Sequence, residues 1–215
     1  MTYPDYTRAE RIADGIIHVI GITASVTAVI VLLAIAIPTL DASSSTALAI
    51  YGVTVVTLFS VSAAYHMVSH SGLKPILRRF DQAAIFFKIA GTYTPLVVLI
   101  GGAFSYGVLA VVWVTAILGA LAKLVLRHKL DGITVGIFLL LGWASLTLAW
   151  PIFATLPVAV SLLIVAGGVL YSVGVIFHLW NSLKFQNAIW HGFVLAASAC
   201  HFTAVAAGTF TLATA

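Results

Sequence analysis

Seven runs of apolar residues, separated by short polar connections, make up almost the whole chain. A membrane-spanning helix needs about 20 mostly apolar residues. The chain offers seven such stretches: 15–38, 46–69, 82–101, 105–126, 132–150, 157–180 and 187–211. The connections run Pro38–Thr46, Ser69–Asp81, Gly101–Ser105, Arg127–Asp131, Pro151–Pro157 and Asn181–Gln186. All are too short for a soluble domain. No stretch is of low complexity, and no repeat of about 20–50 residues is present. The first fourteen residues are polar, with Arg8, Glu10 and Arg11, and lack the apolar core and cleavage site of a signal peptide. The pattern predicts an all-α integral membrane protein. A short segment, 1–14, precedes one seven-helix transmembrane domain, 15–211.

Composition supports this. The chain is 62% hydrophobic and 7% charged, whereas a soluble domain is about 25% charged. The distribution of charge also sets an orientation. Assigning the connections alternately to two sides places Arg8, Arg11, Lys74, Arg78, Arg79, Lys123, Arg127, Lys129 and Lys184 on one side; the other has only Asp41. Positive charge marks the cytoplasmic side. The N-terminus is therefore expected in the cytoplasm and the C-terminus outside. The net charge of +4 does not suggest a nucleic-acid partner, because the basic residues sit in short gaps between spans. The single cysteine, Cys200, excludes an internal disulfide.

Polar residues inside apolar spans are expensive, and their default reading is functional. Ser62 and His66 share a face of the second span, and Asp81 opens the third. His18 lies about one turn into the first and His191 about one turn into the seventh. The alternating topology brings these to similar depth in the cytoplasmic half. A plainer reading exists for each alone: a serine bonding its own backbone, a buried histidine, a carboxylate favoured by a helix N-terminus. Together they suggest a buried cation, since an unpaired carboxylate there costs several kcal/mol. Asn187 and His191 are spaced i, i+4, a zinc-type spacing degraded by asparagine at its first position. Glu10, Asp14 and His18 form a stripe entering the first span; Asp14 and His18 are the members expected to face inward, with Arg11 available to neutralise Asp14. Lys88 lies about 10 Å deeper than Asp81 on a similar face and is expected to face the bundle interior. A Schiff-base lysine of the rhodopsin kind is disfavoured by its position in the third span. His201, about 15 Å along the axis from His191, cannot share an ion with it and suits a helix–helix hydrogen bond. His70 and His128 fall in connections, and His178 ends the sixth span. The run Ala90–Pro95 reads as a kink, with threonine hydroxyls near the freed carbonyl.

At these residues the chain resembles the hemolysin III family, the bacterial branch of the progestin and adiponectin receptor proteins. The matching pieces are Ser62-x3-His66, Phe80-Asp81, IAGTYTP from Ile89 to Pro95, and AIWHGFVL around His191 with a histidine ten residues later. The match covers essentially the whole chain. It implies a multi-pass protein of the bacterial cytoplasmic membrane, with zinc in the cytoplasmic leaflet. It further implies ligands at His66, His191 and the position of Asn187, with Asp81 holding the zinc water; with asparagine at 187, direct ligation by Asp81 is the alternative. Two departures stand out: Asn187 replaces a usual histidine, and Gln82 replaces a frequent one. His18, Asp14, Lys88 and His201 are the supporting polar residues.

The resemblance also implies a function. Eukaryotic relatives look like ceramidases, so the leading expectation is a zinc-dependent hydrolase acting on an amide or ester bond of a membrane lipid. Asp81 and Ser62 would be its catalytic residues. A second expectation is a membrane-state sensor with a structural metal. A third, the cytolytic role suggested by the family name, fits least well, because the outer half has almost no charge to line a pore.

Overall fold

The computed structural model describes residues 6–68, 72–126 and 131–213, with backbone only at 131 and 132. His70, His128, Arg127 and Lys129 lie outside them. All regular structure among the described residues is helical: α1 Arg8–Thr39, α2 Ala42–Met67, α3 Lys74–Ile100, α4 Ala103–Val125, α5 Asp131–Trp143, a 3₁₀ turn Ala144–Leu148, α6 Ala149–Thr155, α7 Val158–Leu179 and α8 Gln186–Ala213. Six spans are single helices. The remaining one, the fifth in chain order, Ile133–Thr155, is built from α5, the 3₁₀ turn and α6.

Local chemistry sets the ends. Thr7 and Glu10 form a reciprocal capping box at the start of α1, satisfying backbone N–H groups that have no helical partner. Asp41 caps α2, accepting from the N–H groups of Ser43 at 2.8 Å and Ser44 at 3.0 Å. Gly101 and Gly102 follow α3 with φ of +65° and +82°, a region other residues rarely enter. They allow α4 to start at once.

The break between α5 and α6 has a chemical cause. Pro151 has no N–H to give Thr147 in a continuous helix, and its ring would meet that carbonyl. The spacing of apolar residues predicts a span ending at 150, but the helix continues to Thr155. Pro151 sits in the first turn of α6, where its missing N–H costs nothing. The buried Tyr93 hydroxyl, from α3, lies 2.9 Å from the carbonyl oxygens of both Leu141 and Gly142, so groups at the break are satisfied without water. α3 itself runs continuously through Pro95. There the hydroxyls of Thr92 and Thr94 bond the carbonyls of Lys88 and Ala90.

α3 is the hub: it packs on α2, α4, α5, α6 and α8. α1 bridges α2 and α8, and α7 lies along α8. Close approach is bought by small residues: a Cβ on Gly52 would come within 2.5 Å of Val29, and one on Gly91 would overlap Thr54. The outward faces carry large apolar side chains such as Trp150 and Leu140, 83% and 76% exposed. That surface suits lipid, not water. α1, α2, α3 and α8 thus surround one end of the bundle, where α1, α3 and α8 begin and α2 finishes.

Candidate metal centre

Four side chains converge at that end. Asp14 and His18 come from α1 one turn apart, His66 from the last turn of α2, and His191 from the second turn of α8. One potential ligand atom from each lies within 4.8 Å of all the others. Asp14, His18 and His191 are 5%, 3% and 7% exposed. The Asp14 carboxylate is the hub. Its Oδ1 is 2.6 Å from His191 Nδ1; its Oδ2 is 3.5 Å from His66 Nδ1 and 3.7 Å from His18 Nε2. The rings crowd together, with centroids 4.4 Å apart for His18 and His191 and 4.5 Å for His66 and His191.

This arrangement fits a metal ion on two counts. A tetrahedron with bonds of about 2.0–2.1 Å has edges of about 3.4 Å, and the donor separations from Asp14 bracket that value. His18 Nε2 is also buried without a hydrogen-bond partner, an expensive condition for a ring nitrogen that a cation would relieve. Imidazole and carboxylate are the nitrogen and oxygen donors that zinc accepts.

The other residues singled out from the sequence surround this group. Ser62 is buried and lies near the Asp81 carboxyl, and Asp81 is close enough to feel His191 and His18. Both line the same cavity as the four donors, but Asp81 is outside the group. Asn187 lines the cavity mouth, where its side chain interacts with the Tyr6 hydroxyl. Burial raises the pKa of that hydroxyl, while Asn187 opposes the rise. Arg11 lines the mouth as well; the partners of Asp14 are histidines instead. Glu10 Oε1 accepts from the backbone N–H of Phe185 at 3.0 Å, tying the start of α1 to the turn before α8. This tie lies at the same end of the bundle where α1 packs on α8 and brings Asp14 and His18 against His191. Its sequence signal is weak: Glu10 alone reads as an ordinary wet helix end.

The cavity extends from the donors along α3 past Lys88 to Leu96, and reaches Ile152 and Ser161 on α6 and α7. Its volume is about 760 Å³, and its walls are mainly apolar. Lys88 is 3% exposed and donates to the Tyr171 hydroxyl. His201 pairs through Nε2 with the Ile164 carbonyl at 3.2 Å, a bond between α8 and α7.

Seven spans around a buried imidazole–carboxylate group and a long apolar cavity define a class: polytopic helical membrane proteins with a candidate metal centre near one end of the bundle. Within that class, the chain belongs to the Haemolysin-III related family, whose model matches residues 6–202. It is 36% identical over 203 residues to the hemolysin-3 homolog of Bacillus subtilis (strain 168), covering 93% of this chain and 94% of that protein. It is 36% identical over 197 residues to hemolysin-3 of Bacillus cereus, covering 91% and 90%. Similarity extends to the monocyte to macrophage differentiation factor of Homo sapiens, 28% identical over 163 residues and covering 73% and 67%. This accords with the bacterial branch of the progestin and adiponectin receptor superfamily.

Proposed function

We propose that the group Asp14, His18, His66 and His191 holds a zinc ion through three of its members at a time, leaving the fourth position open to water, and that the protein hydrolyses an amide or ester bond of a membrane lipid. The observation that carries this reading is the donor group at the head of a long apolar cavity. A metal serving only to tie helices together needs no such cavity. Bound there, zinc supplies Lewis acidity, polarising a carbonyl and acidifying water. The protein's own residues do the rest. The apolar walls hold an acyl chain and exclude water. Asp81, beside the donors, accepts a proton from the attacking water. Ser62 donates a hydrogen bond toward the oxygen on which negative charge develops. Arg8, Arg11, Lys74 and Arg78 lie at this end of the sequence topology, so the centre is assigned to the cytoplasmic side of the bacterial inner membrane. A reporter fused at residue 1 should be active only in its cytoplasmic form; activity of the exported form instead would reverse the orientation.

The test is ceramide hydrolysis by purified protein in mixed micelles, run beside metal analysis. Asp81→Asn is expected to keep the metal and lose turnover by about 10²-fold or more, the scale of a lost acid–base group. His66→Ala should lose both. Turnover that survives a chelator, or Asp81→Asn, would defeat the hydrolase.

One observation favours a second reading. Catalytic zinc keeps a coordination position open, whereas structural zinc is closed by four protein ligands. Four donors are present here. If all four bind at once, the metal staples α1, α2 and α8, and the protein is a membrane-state sensor. A metal-loaded protein without turnover on acyl lipids would support this reading over hydrolysis.

A further inference from the structure

Lys88 is a buried residue of the cavity whose chemistry the proposed metal centre does not use. It lies on α3 two turns below Asp81, about 10 Å along the axis. Its side chain is 3% exposed, yet it lines the cavity. One N–H is given to the Tyr171 hydroxyl, which in turn pairs with Ser198 Oγ at 2.7 Å. The amine also lies 4.2 Å from the centre of the Tyr171 ring. An ammonium has three donors. Among the described residues nothing accepts from the other two, and no carboxylate pairs with Lys88. The hydroxyl of Thr92, one turn on, donates to the Lys88 backbone carbonyl. Keeping a lysine charged in an apolar wall without a counter-charge is costly, so an anion is the partner that suits it. Two unused donors on a residue that lines a space of about 760 Å³ are a recognition element whose partner arrives with the ligand.

We propose that Lys88, held by Tyr171 and Ser198, is a second polar station that receives the carboxylate of a single-chain lipid lying in the cavity. The partner must be an acceptor and an anion, which a carboxylate is. Its tail must be apolar and slender, because the walls beyond Lys88 are Leu96, Ile152 and Ile164. Eight residues of α3 separate Lys88 from Leu96, about 12 Å, so much of a medium-length alkyl chain fits below the amine. The site does not depend on the metal reading: it uses none of the four donors.

The test uses dodecanoate and dodecanol as probes, with the full-length protein purified in detergent and stripped of lipid. Binding is measured by calorimetry with and without a chelator. Dodecanoate should bind about tenfold or more tightly than dodecanol, the scale of one charge-assisted hydrogen bond. That preference should persist under chelation, vanish in Lys88→Met, and return in Lys88→Arg. A second readout needs only the wild-type chain. An apolar carbodiimide activates the bound carboxylate, the Lys88 amine forms an amide with it, and the displaced oxygen leaves on the urea. The dodecanoyl group should then be found on the Lys88 peptide by mass spectrometry. Equal affinity for the two probes would overturn the proposal. So would a preference that chelation abolishes and Lys88→Met spares, which would place the carboxylate at the metal centre. Acylation confined to Lys74 or Lys184, away from Lys88, would overturn it as well.

Discussion

Asp14 illustrates how one side chain acquires its role from its neighbours. On α1 alone it is a carboxylate near a helix start, where such residues are common. In the bundle it is the oxygen donor around which three imidazoles from three helices gather. The sequence shows Asp14 and His18 as an inward-facing pair, because i, i+4 spacing survives folding. It does not show that they meet His66 and His191. That depends on how α1 packs against α2 and α8, and nothing local encodes it. His201 was readable as a helix–helix contact from its depth. The partner, the Ile164 carbonyl, was not, since it belongs to another helix. The contact also constrains Gly167: a Cβ there would overlap the His201 ring. Gly167→Ala is therefore expected to destabilise the protein by about 1–3 kcal/mol through overpacking, seen as a lower Tm in detergent. An unchanged Tm would show that α7 and α8 separate freely at this point.

At the scale of elements, the spans are the most legible feature, because a bilayer demands long apolar runs and little else is compatible with them. Their ends were less so. Pro151 is a natural stopping signal, yet helical structure resumes around it, because Tyr93 on α3 takes over the carbonyls at the break. Tyr93→Phe should leave those two acceptors without this donor. A loss of about 1–2 kcal/mol is expected, measurable as a lower denaturation midpoint and faster hydrogen exchange around residues 141–148. A variant as stable and as slowly exchanging as wild type would mean that the break is sustained otherwise. The α2 cap makes a pH-dependent case. Hydrogen bonds from the Ser44 hydroxyl and N–H and from the Ser43 N–H hold the Asp41 carboxyl below the usual carboxylate range. A depressed folded value gives stability that is present above the unfolded pKa of about 3.9 and lost as pH falls through the folded value. Asp41→Asn should thus be less stable than wild type near neutral pH, with the two converging in acid. A difference that is constant from neutral to strongly acidic pH would assign the effect to shape instead of charge.

For the molecule as a whole, the alternation of basic and uncharged connections places four separate helix segments at one end before any contact is known. A shared depth for His18, His66, Asp81 and His191 follows from that alone. Convergence on one point is a further fact, supplied by α3 acting as hub and by α8 reaching both α1 and α3. The cavity was beyond reach of the sequence, since it is defined by where seven spans fail to touch. The same holds for Tyr171 and Ser198 beside Lys88: two hydroxyls in apolar runs carry no distinguishing pattern. The group of four donors and the cavity together make the molecule more than a bundle of greasy spans, and the proposed metal centre can be tested directly. The measurement is the metal content and X-ray absorption spectrum of the purified, zinc-equilibrated protein in lipid, beside His66→Ala and Asp14→Asn. The expected result is about one zinc per chain, with an imidazole-dominated nitrogen and oxygen shell at about 2.0–2.1 Å, depleted in both variants. A wild-type protein that binds no metal, or a shell unchanged by either substitution, would contradict it.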